Sequence, residues 1–210
     1  MRGIAFVGGE GPGPEVLRKI AARSDILVAA DSGLMIMEEA GLKPDWIIGD
    51  MDSLDYTERL DKYDSGMVLH FPAEKNLTDT ELALDLLKEK GCDEIWIAGG
   101  GGGRVDHLLA IRSLFDREFC PARWFPGKEE IRCLKEGEQI SAVFSQAFPV
   151  SVLPVGMPPW QAESSGLKWP LRDLTWENGG LGLSNVAQDG SFKIQSIQGR
   201  FLVIIPVFLD

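Results

Sequence analysis

The sequence is poor in the residues on which several common chemistries depend. Only two histidines occur, His70 and His107, which rules out an HExxH zinc site. The three cysteines, Cys92, Cys120 and Cys133, are odd in number and form no CxxC pair. They read as free buried thiols in a reducing compartment. Basic residues are outnumbered, 21 Lys and Arg against 32 Asp and Glu, for a formal charge of -11. That balance speaks against a nucleic-acid partner, and any anionic ligand must be met by local Arg, Lys or metal charge. Long apolar runs are missing too. The run in MRGIAFVGGEGPGPE is too short for a signal peptide, and FLVIIPVFL is too short to span a bilayer and carries a proline. A cytoplasmic protein without a membrane partner is expected. There is no GxxxxGK[ST] phosphate loop and no GxSxG elbow. The dinucleotide fingerprint also fails, because Gly9 and Gly11 are followed by Pro14 where a third glycine belongs.

What the chain does have is a change of pattern part-way along its 210 residues. The first part alternates apolar runs with amphipathic segments. GIAFVGG, DILVAAD, WIIGD, MVLHF and EIWIAGG read as strands. PEVLRKIAARS, GLMIMEEAGL, TDTELALDLLKEKG and DHLLAIRSLFDRE read as helices, the third opening on Thr78 with Glu81 three residues later, a capping box. Its apolar face is expected along Leu82 and Leu86. Continuous apolar strands between helices imply a mostly parallel, Rossmann-like sheet covered on both faces. After WFPGKEE the helical signal stops. EEIRCL, QISAVF, VSVLPV, GLGLSN, SFKIQSI and RFLVIIPV read as short strands between turns. The expected organisation is an α/β domain over residues 1–126 and an all-β sandwich or barrel over 127–210. The stretch 146–163, with PVGMPPWQAE, reads as a divergent loop around its one apolar run.

In an open parallel sheet, ligands sit beyond the carboxyl ends of the strands. Asp31, Asp50 and the glycine run Gly99–Gly103 all fall there. Asp50 and Asp52 flank Met51, and in extended chain residues i and i+2 point the same way, so the two carboxylates can converge on one hard cation. Oxygen donors without His or Cys suit Mg²⁺. The glycines let backbone N–H groups approach an anion, Arg104 offers a forked donor for phosphate oxygens, and Lys75 adds a second cation. Each feature also has a plainer reading: Asp52-Ser53 as a turn or cap, Thr78 as a cap, His107 and Arg104 as solvated surface, and Trp169 as core packing.

Four motifs in order carry a resemblance. PDWIIGDMDS (44–53), PAEKNLTDTELAL (72–84), GGGGGRVDHLLA (99–110) and SGLKWPL (165–171), followed by GLGLSN (180–185), are similar to those of the thiamine pyrophosphokinase family. The resemblance implies transfer of a diphosphoryl group from ATP to the hydroxyl of thiamine, with Mg²⁺ required and AMP released. It implies that Asp50, Asp52 and Asp79 hold Mg²⁺ or orient the nucleophile, and that Asp106 joins this acidic set. Arg104, Lys75 and Thr78 would meet the phosphates. Asp31, Ser32, Gly102, Gly103 and His107 would line the nucleotide side. Trp169 would stack on the thiamine rings, and Ser184 and Asn185 would hydrogen-bond the aminopyrimidine. A homodimer with the active site shared between subunits is implied as well. The sequence departs from the family pattern at DSGL, Asn76, Ile111 and Val186, where DGGA, an acidic residue, Asn and a polar residue are usual. Two other readings remain open at this point: a diphosphokinase of another alcohol such as a hydroxymethylpterin, and a non-catalytic thiamine or nucleotide sensor.

Overall fold

The structure is a computed structural model that describes residues 1–51 and 59–207. The chain forms two compact units, Met1–Ile111 with Trp124–Lys128, and Arg112–Arg123 with Glu129 onward. The first carries helices on a parallel sheet, and the second is sandwich-like.

In the first unit, β1 (Arg2–Val7), β2 (Ile26–Ala30), β3 (Trp46–Gly49), β4 (Val68–His70), β5 (Glu94–Gly99) and β6 (Arg123–Phe125) lie in the order β6-β5-β1-β2-β3-β4. From β5 to β4 every pairing is parallel. β1 is the central strand. Its Ile4 lies between Leu27 and Trp96, and its Phe6 between Ala29 and Ala98. Ile4, Ala5 and Phe6 are completely buried, so a continuous apolar run here means burial on both faces rather than alternation. Each large side chain removed from water contributes about 1.5–3 kcal/mol.

Among the described residues the unit carries the helices α1 (Pro14–Ala21), α2 (Gly33–Glu39), α3 (Asp79–Glu89) and α4 (Val105–Ser113). α1 starts on a proline, whose missing N–H costs nothing in the first turn. α2 begins on Gly33 because a Cβ there would lie 2.0 Å from the Phe6 carbonyl oxygen. α3 has the expected capping box. Its buried stripe runs through Ala83, Leu84, Leu86 and Leu87, with Leu82 only half-buried at the margin. The segment after α4 tightens into a 3-10 turn at Leu114–Asp116, so that helix ends earlier than its sequence pattern suggests.

The second unit contains β7 (Glu129–Leu134), β8 (Gln139–Val143), β9 (Phe148–Val155), β10 (Gln161–Ser165), β11 (Gly182–Ala187), β12 (Ser191–Gln198) and β13 (Arg200–Pro206). They form one sheet ordered β11-β9-β13-β7 and another ordered β10-β12-β8. All their pairings are antiparallel. β8 and β12 alternate buried and exposed residues, as strands with one wet face do. Phe192 and Ile194 of one sheet share a core with Val150, Val152, Phe201 and Val203 of the other. The stretch 146–163, expected as a loop, mostly belongs to β9 and β10, leaving 156–160 as the connection. Pro149 and Pro154 break the strand signal there, yet both pair in register, with Val186 and Phe201.

Candidate active site

The strand ends of the first unit gather a small charged cluster. Asp50 directly follows β3, and Asp79 opens α3. Lys75 lies between them, its Nζ 3.5 Å from Asp50 Oδ2 and 3.2 Å from Asp79 Oδ1. The Lys75 ammonium also donates to the Pro72 carbonyl oxygen. Burial works against the Lys75 charge, but Asp79 and Asp50 outweigh it and hold its pKa above the ordinary lysine value. For Asp79 the balance goes the other way. Burial lifts its carboxyl pKa, Lys75 only partly reverses this, and Asp50 and Asp31 add repulsion. Asp31 therefore belongs to the same electrostatic neighbourhood.

Two backbone positions at these strand ends are left-handed without being glycine: Asp31 with φ 45° and Met51 with φ 62°. Such conformations cost about 1–2 kcal/mol and concentrate at functional sites. Asp31 keeps its turn through its N–H, which donates to the Ile48 carbonyl, and its own carbonyl, which accepts from Leu34 N–H. Met51, between the two aspartates expected to converge, is left-handed rather than extended. Asp52 itself lies outside the described residues.

Among the described residues no group of three His, Cys, Asp or Glu side chains converges as a ready metal cage. The donors present nevertheless suit Mg²⁺. They are carboxylate oxygens, and Asp79 Oδ1 is buried, 3.2 Å from Lys75 Nζ, with no well-formed hydrogen bond among the described residues. Mg²⁺ is held by one or two carboxylates together with substrate phosphates rather than by a complete protein cage.

The five glycines divide into two groups. Gly100 N–H donates to Gly8, and Gly101 exchanges both backbone hydrogen bonds with Glu10. A Cβ at Gly101 would lie 1.8 Å from the Pro126 carbonyl oxygen. These glycines are spent on close packing, so the whole run does not cradle an anion. Gly102 and Gly103 are different: both are exposed and left-handed, with φ 62° and 61°. Beyond them Arg104 closes a fork on Asp106, with Nε to Oδ1 at 3.1 Å and Nη2 to Oδ2 at 2.6 Å. The guanidinium holds the Asp106 carboxyl down at about 2. Asp106 thus sits in the Arg104 fork, and its Oδ1 also accepts from the backbone N–H of the exposed His107. Thr78 is exposed, its hydroxyl accepting from Glu81 N–H and donating to Glu81 Oε2. Ser32 is half-buried, packed so close to Gly8 that a Cβ there would lie 1.9 Å from its Oγ.

In the second unit Trp169 is 50% exposed. Asn185, only 3% exposed, fixes the backbone around it. Its Oδ1 accepts from Trp169 N–H at 3.1 Å and Val186 N–H at 2.9 Å, and its Nδ2 donates to the Trp169 carbonyl at 2.6 Å. The amide that was expected to bind a ligand is thus committed to the fold. Ser184 is exposed and left-handed, with φ 53°, in the irregular stretch of β11 between Gly182 and Asn185. Its N–H donates to Ser151 Oγ.

Comparison with known proteins identifies this arrangement. Residues 17–119 match the family model described as thiamin pyrophosphokinase, catalytic domain. A thiamine pyrophosphokinase of Bacillus subtilis (strain 168) is 31% identical over 150 residues, 70% of each chain. The chain belongs to the thiamine pyrophosphokinase family. Its fold agrees with solved members. A crystal structure of the thiamin pyrophosphokinase from Geobacillus thermodenitrificans superposes with TM-score 0.72 at 25% identity, covering 99% of this chain and 98% of that one. The Candida albicans thiamin pyrophosphokinase gives 0.72 at 16% identity, covering 98% and 90%. Membership makes the chain an enzyme of thiamine diphosphate formation, and the family implies thiamine and ATP as substrates.

Two departures from the family's sequence pattern have structural accounts. Ile111 is buried, and its Cδ1 lies 2.3 Å from where a Cβ on Gly100 would be. Apolar packing beneath the glycine run therefore occupies the place of the usual Asn. Val186 acts through its backbone, its N–H donating to Asn185 Oδ1 and its carbonyl accepting from Lys168 N–H. Sequence reasoning missed several supporting groups. Glu10 pairs with Gly101, Trp124 Nε1 donates to the Gly99 carbonyl at 2.8 Å, and Lys168 Nζ lies 4.3 Å from the Trp169 ring centroid. Glu10 and Gly101, and Trp124 and Gly99, are far apart in sequence and meet only through the fold; Lys168 is next to Trp169 in the chain, and the fold sets its ammonium over the ring.

Proposed function

We propose that this thiamine pyrophosphokinase works through the Asp50–Lys75–Asp79 cluster, with Mg²⁺ as its metal and its two units dividing the substrates between them. Residues 1–126 would carry ATP and metal, and residues 127–210 thiamine. In the reaction the hydroxyethyl oxygen of thiamine bonds to the β-phosphorus of ATP, the bond from that phosphorus to the α-phosphate oxygen breaks, and AMP leaves. The hydroxyl proton passes to a carboxylate of the acidic set. The observation that carries this reading is Asp79 Oδ1, a buried carboxylate oxygen 3.2 Å from the Lys75 ammonium that has no well-formed hydrogen bond among the described residues.

Asp50, Asp52 and Asp79 would hold the metal. Mg²⁺ supplies charge neutralisation on the phosphate oxygens, the main need of phosphoryl-type transfer. Lys75 is already charged and placed between the two carboxylates, so bound phosphates would draw its ammonium toward themselves. Gly102 and Gly103 would bring backbone N–H groups to the phosphates. Arg104 would exchange part of its fork on Asp106 for phosphate oxygens, and Thr78 would hold the start of α3 in place. Asp31, Ser32 and His107 would line the nucleotide side. Trp169 would offer its indole face to the thiazolium cation, and Ser184 its hydroxyl to the aminopyrimidine. Asn185 would serve by fixing Trp169.

We also infer a homodimer in which the first unit of one subunit and the second unit of its partner complete the site. Val105 and Leu109, one turn apart on α4, are both exposed, which favours a covering partner. Cytoplasmic location accords with three free cysteines and with the absence, among the described residues, of a helix able to cross a membrane.

The test is product analysis with ATP, Mg²⁺ and thiamine, alongside an EDTA control. Thiamine diphosphate and AMP, lost on chelation, are expected. Thiamine monophosphate with ADP would move the attack to the γ-phosphorus. Turnover of a hydroxymethylpterin in place of thiamine would overturn the substrate, and saturable thiamine binding without product would mean a sensor. Light scattering of the purified protein reports the dimer, and a monomer at assay concentration would overturn that inference.

A further inference from the structure

Two of the three cysteines meet in the second unit. Cys120 and Cys133 are 13 residues apart in sequence, and their Sγ atoms lie 3.7 Å apart in a sulfur–sulfur hydrogen bond. Both are buried, 6% and 8% exposed. The backbone holds them in register, because Cys133 N–H donates to the Ala122 carbonyl at 2.8 Å and Cys133 pairs with Leu202 of β13. We propose that Cys120 and Cys133 form an oxidisable dithiol, a modification site at which a small peroxide produces an intramolecular disulfide.

The chemistry follows from the closeness of the two sulfurs, either of which can donate to the other. The Arg200 and Lys135 charges favour a thiolate at both sulfurs against burial. With Cys120 as the attacking thiolate and Cys133 as the resolving thiol, or the reverse, the product is the same disulfide. The Cys120 thiolate attacks one oxygen of hydrogen peroxide, whose O–O bond breaks. Cys120 becomes a sulfenic acid, and the displaced hydroxide leaves as water after taking a proton. The Cys133 sulfur then attacks the Cys120 sulfur, the S–OH bond breaks, and the Cys133 proton leaves with the hydroxyl as a second water. Two thiols and one peroxide give one disulfide and two waters. A small oxidant suits the burial of the site. The sulfurs need to approach by less than 2 Å to reach the usual S–S bond length of about 2.0 Å.

The position gives the crosslink a consequence. The loop it closes, 121–132, contains Trp124–Lys128, which belong to the first unit. There Trp124 bonds the Gly99 carbonyl, Phe125 packs 5.7 Å from the Trp96 ring, and the Pro126 carbonyl abuts Gly101. Oxidation thus fastens the root of the segment that braces the glycine run. Cys92 is the internal control. It is buried in the first unit, where burial raises its thiol pKa.

The site stands apart from the substrate reading, because its readout is covalent. The full-length protein is treated with hydrogen peroxide, alkylated without reductant, digested and weighed. The expected result is a fall in free thiols from three to one, a linked Cys120–Cys133 peptide lighter by two hydrogens, and full return on adding dithiothreitol. Cys92→Ser retains the link, while Cys120→Ser and Cys133→Ser each abolish it. If either Ser variant fails to fold, Cys133→Ala replaces it, with dimedone expected to trap a sulfenic acid on Cys120. Three alkylated thiols after peroxide, or oxidation at Cys92 in preference to the pair, would overturn the proposal.

Discussion

Asp79 of the first unit and Asn185 of the second are both withdrawn from water, 22% and 3% exposed, yet their polar atoms are treated differently. Asn185 Oδ1 accepts two backbone N–H groups, and its Nδ2 donates to a carbonyl. Asp79 Oδ1 has the Lys75 ammonium at 3.2 Å but no well-formed hydrogen bond among the described residues. A buried polar group left unsatisfied costs about 1–3 kcal/mol, so a fold retains one where something else completes it. A satisfied group serves the scaffold. The same contrast separates Gly101, paired and packed, from Gly103, which a Cβ would leave with nothing within 4 Å. The first unit therefore exposes its chemistry through unfinished polar groups, and the second through a finished frame that holds an apolar ring outward.

The sharpest way to break this comparison is to neutralise the unfinished group. Asp79→Asn keeps the shape and removes the charge. Its kcat/KM for thiamine diphosphate formation is expected to fall by roughly 10²-fold or more, the scale of losing one electrostatic stabiliser. Its melting temperature should not fall, because burial already disfavours that charge. Retained activity would remove Asp79 from the machinery.

The opposite pattern is expected at the finished group. Asn185→Ala deletes three hydrogen bonds and strands two backbone donors and one carbonyl, a loss of about 1–3 kcal/mol in urea unfolding. KM for thiamine should rise with kcat nearly kept, because the residue fixes Trp169 rather than meeting the reacting atoms. A fall confined to kcat would return Asn185 to the substrate.

Smaller effects belong to the ring face. Trp169→Ala should raise KM for thiamine roughly 2- to 30-fold, the range of a cation–π contact of about 0.5–2 kcal/mol. Lys168→Ala clears the ammonium now over that ring and should lower the same KM by about two- to fivefold. Steady-state kinetics on both variants separate a stacking platform from a ring that only packs.

The smallest effect concerns the exposed fork. The Asp106 carboxyl titrates at about 2 in the folded protein, below its ordinary 3.8. Because the folded value is the lower one, the stability it brings is fully present above the ordinary value and is lost as pH falls through about 2. An NMR titration of Arg104→Ala should move the Asp106 midpoint up toward 3.8. No movement would mean that the fork is not formed in solution.

Much of this was legible in the chain for physical reasons. Continuous apolar runs in GIAFVGG and EIWIAGG can only be strands buried on both faces, and Thr78 with Glu81 can cap only a helix. The strand-end positions of Asp31 and Asp50 follow from those runs. Other parts were not legible. Met51 adopts a left-handed conformation directly after the Asp50 strand end, and no local signal announced it. VSVLPV reads as a strand, but its extension back through Pro149 to Phe148 does not, and only pairing with β11 carries the strand that far. The glycine run looked uniform, but neighbours distant in sequence, Glu10 and Pro126, divide it.

The sequence by itself determined the sheet order class, the helix starts and the residue types at the strand ends, because periodicity and capping are local. Only the tertiary structure decided which polar groups pair within the fold, that Asn185 fixes Trp169, and that Cys120 meets Cys133. Those outcomes depend on contacts across the fold, which hydrogen-bond saturation and packing settle only after the chain has closed on itself.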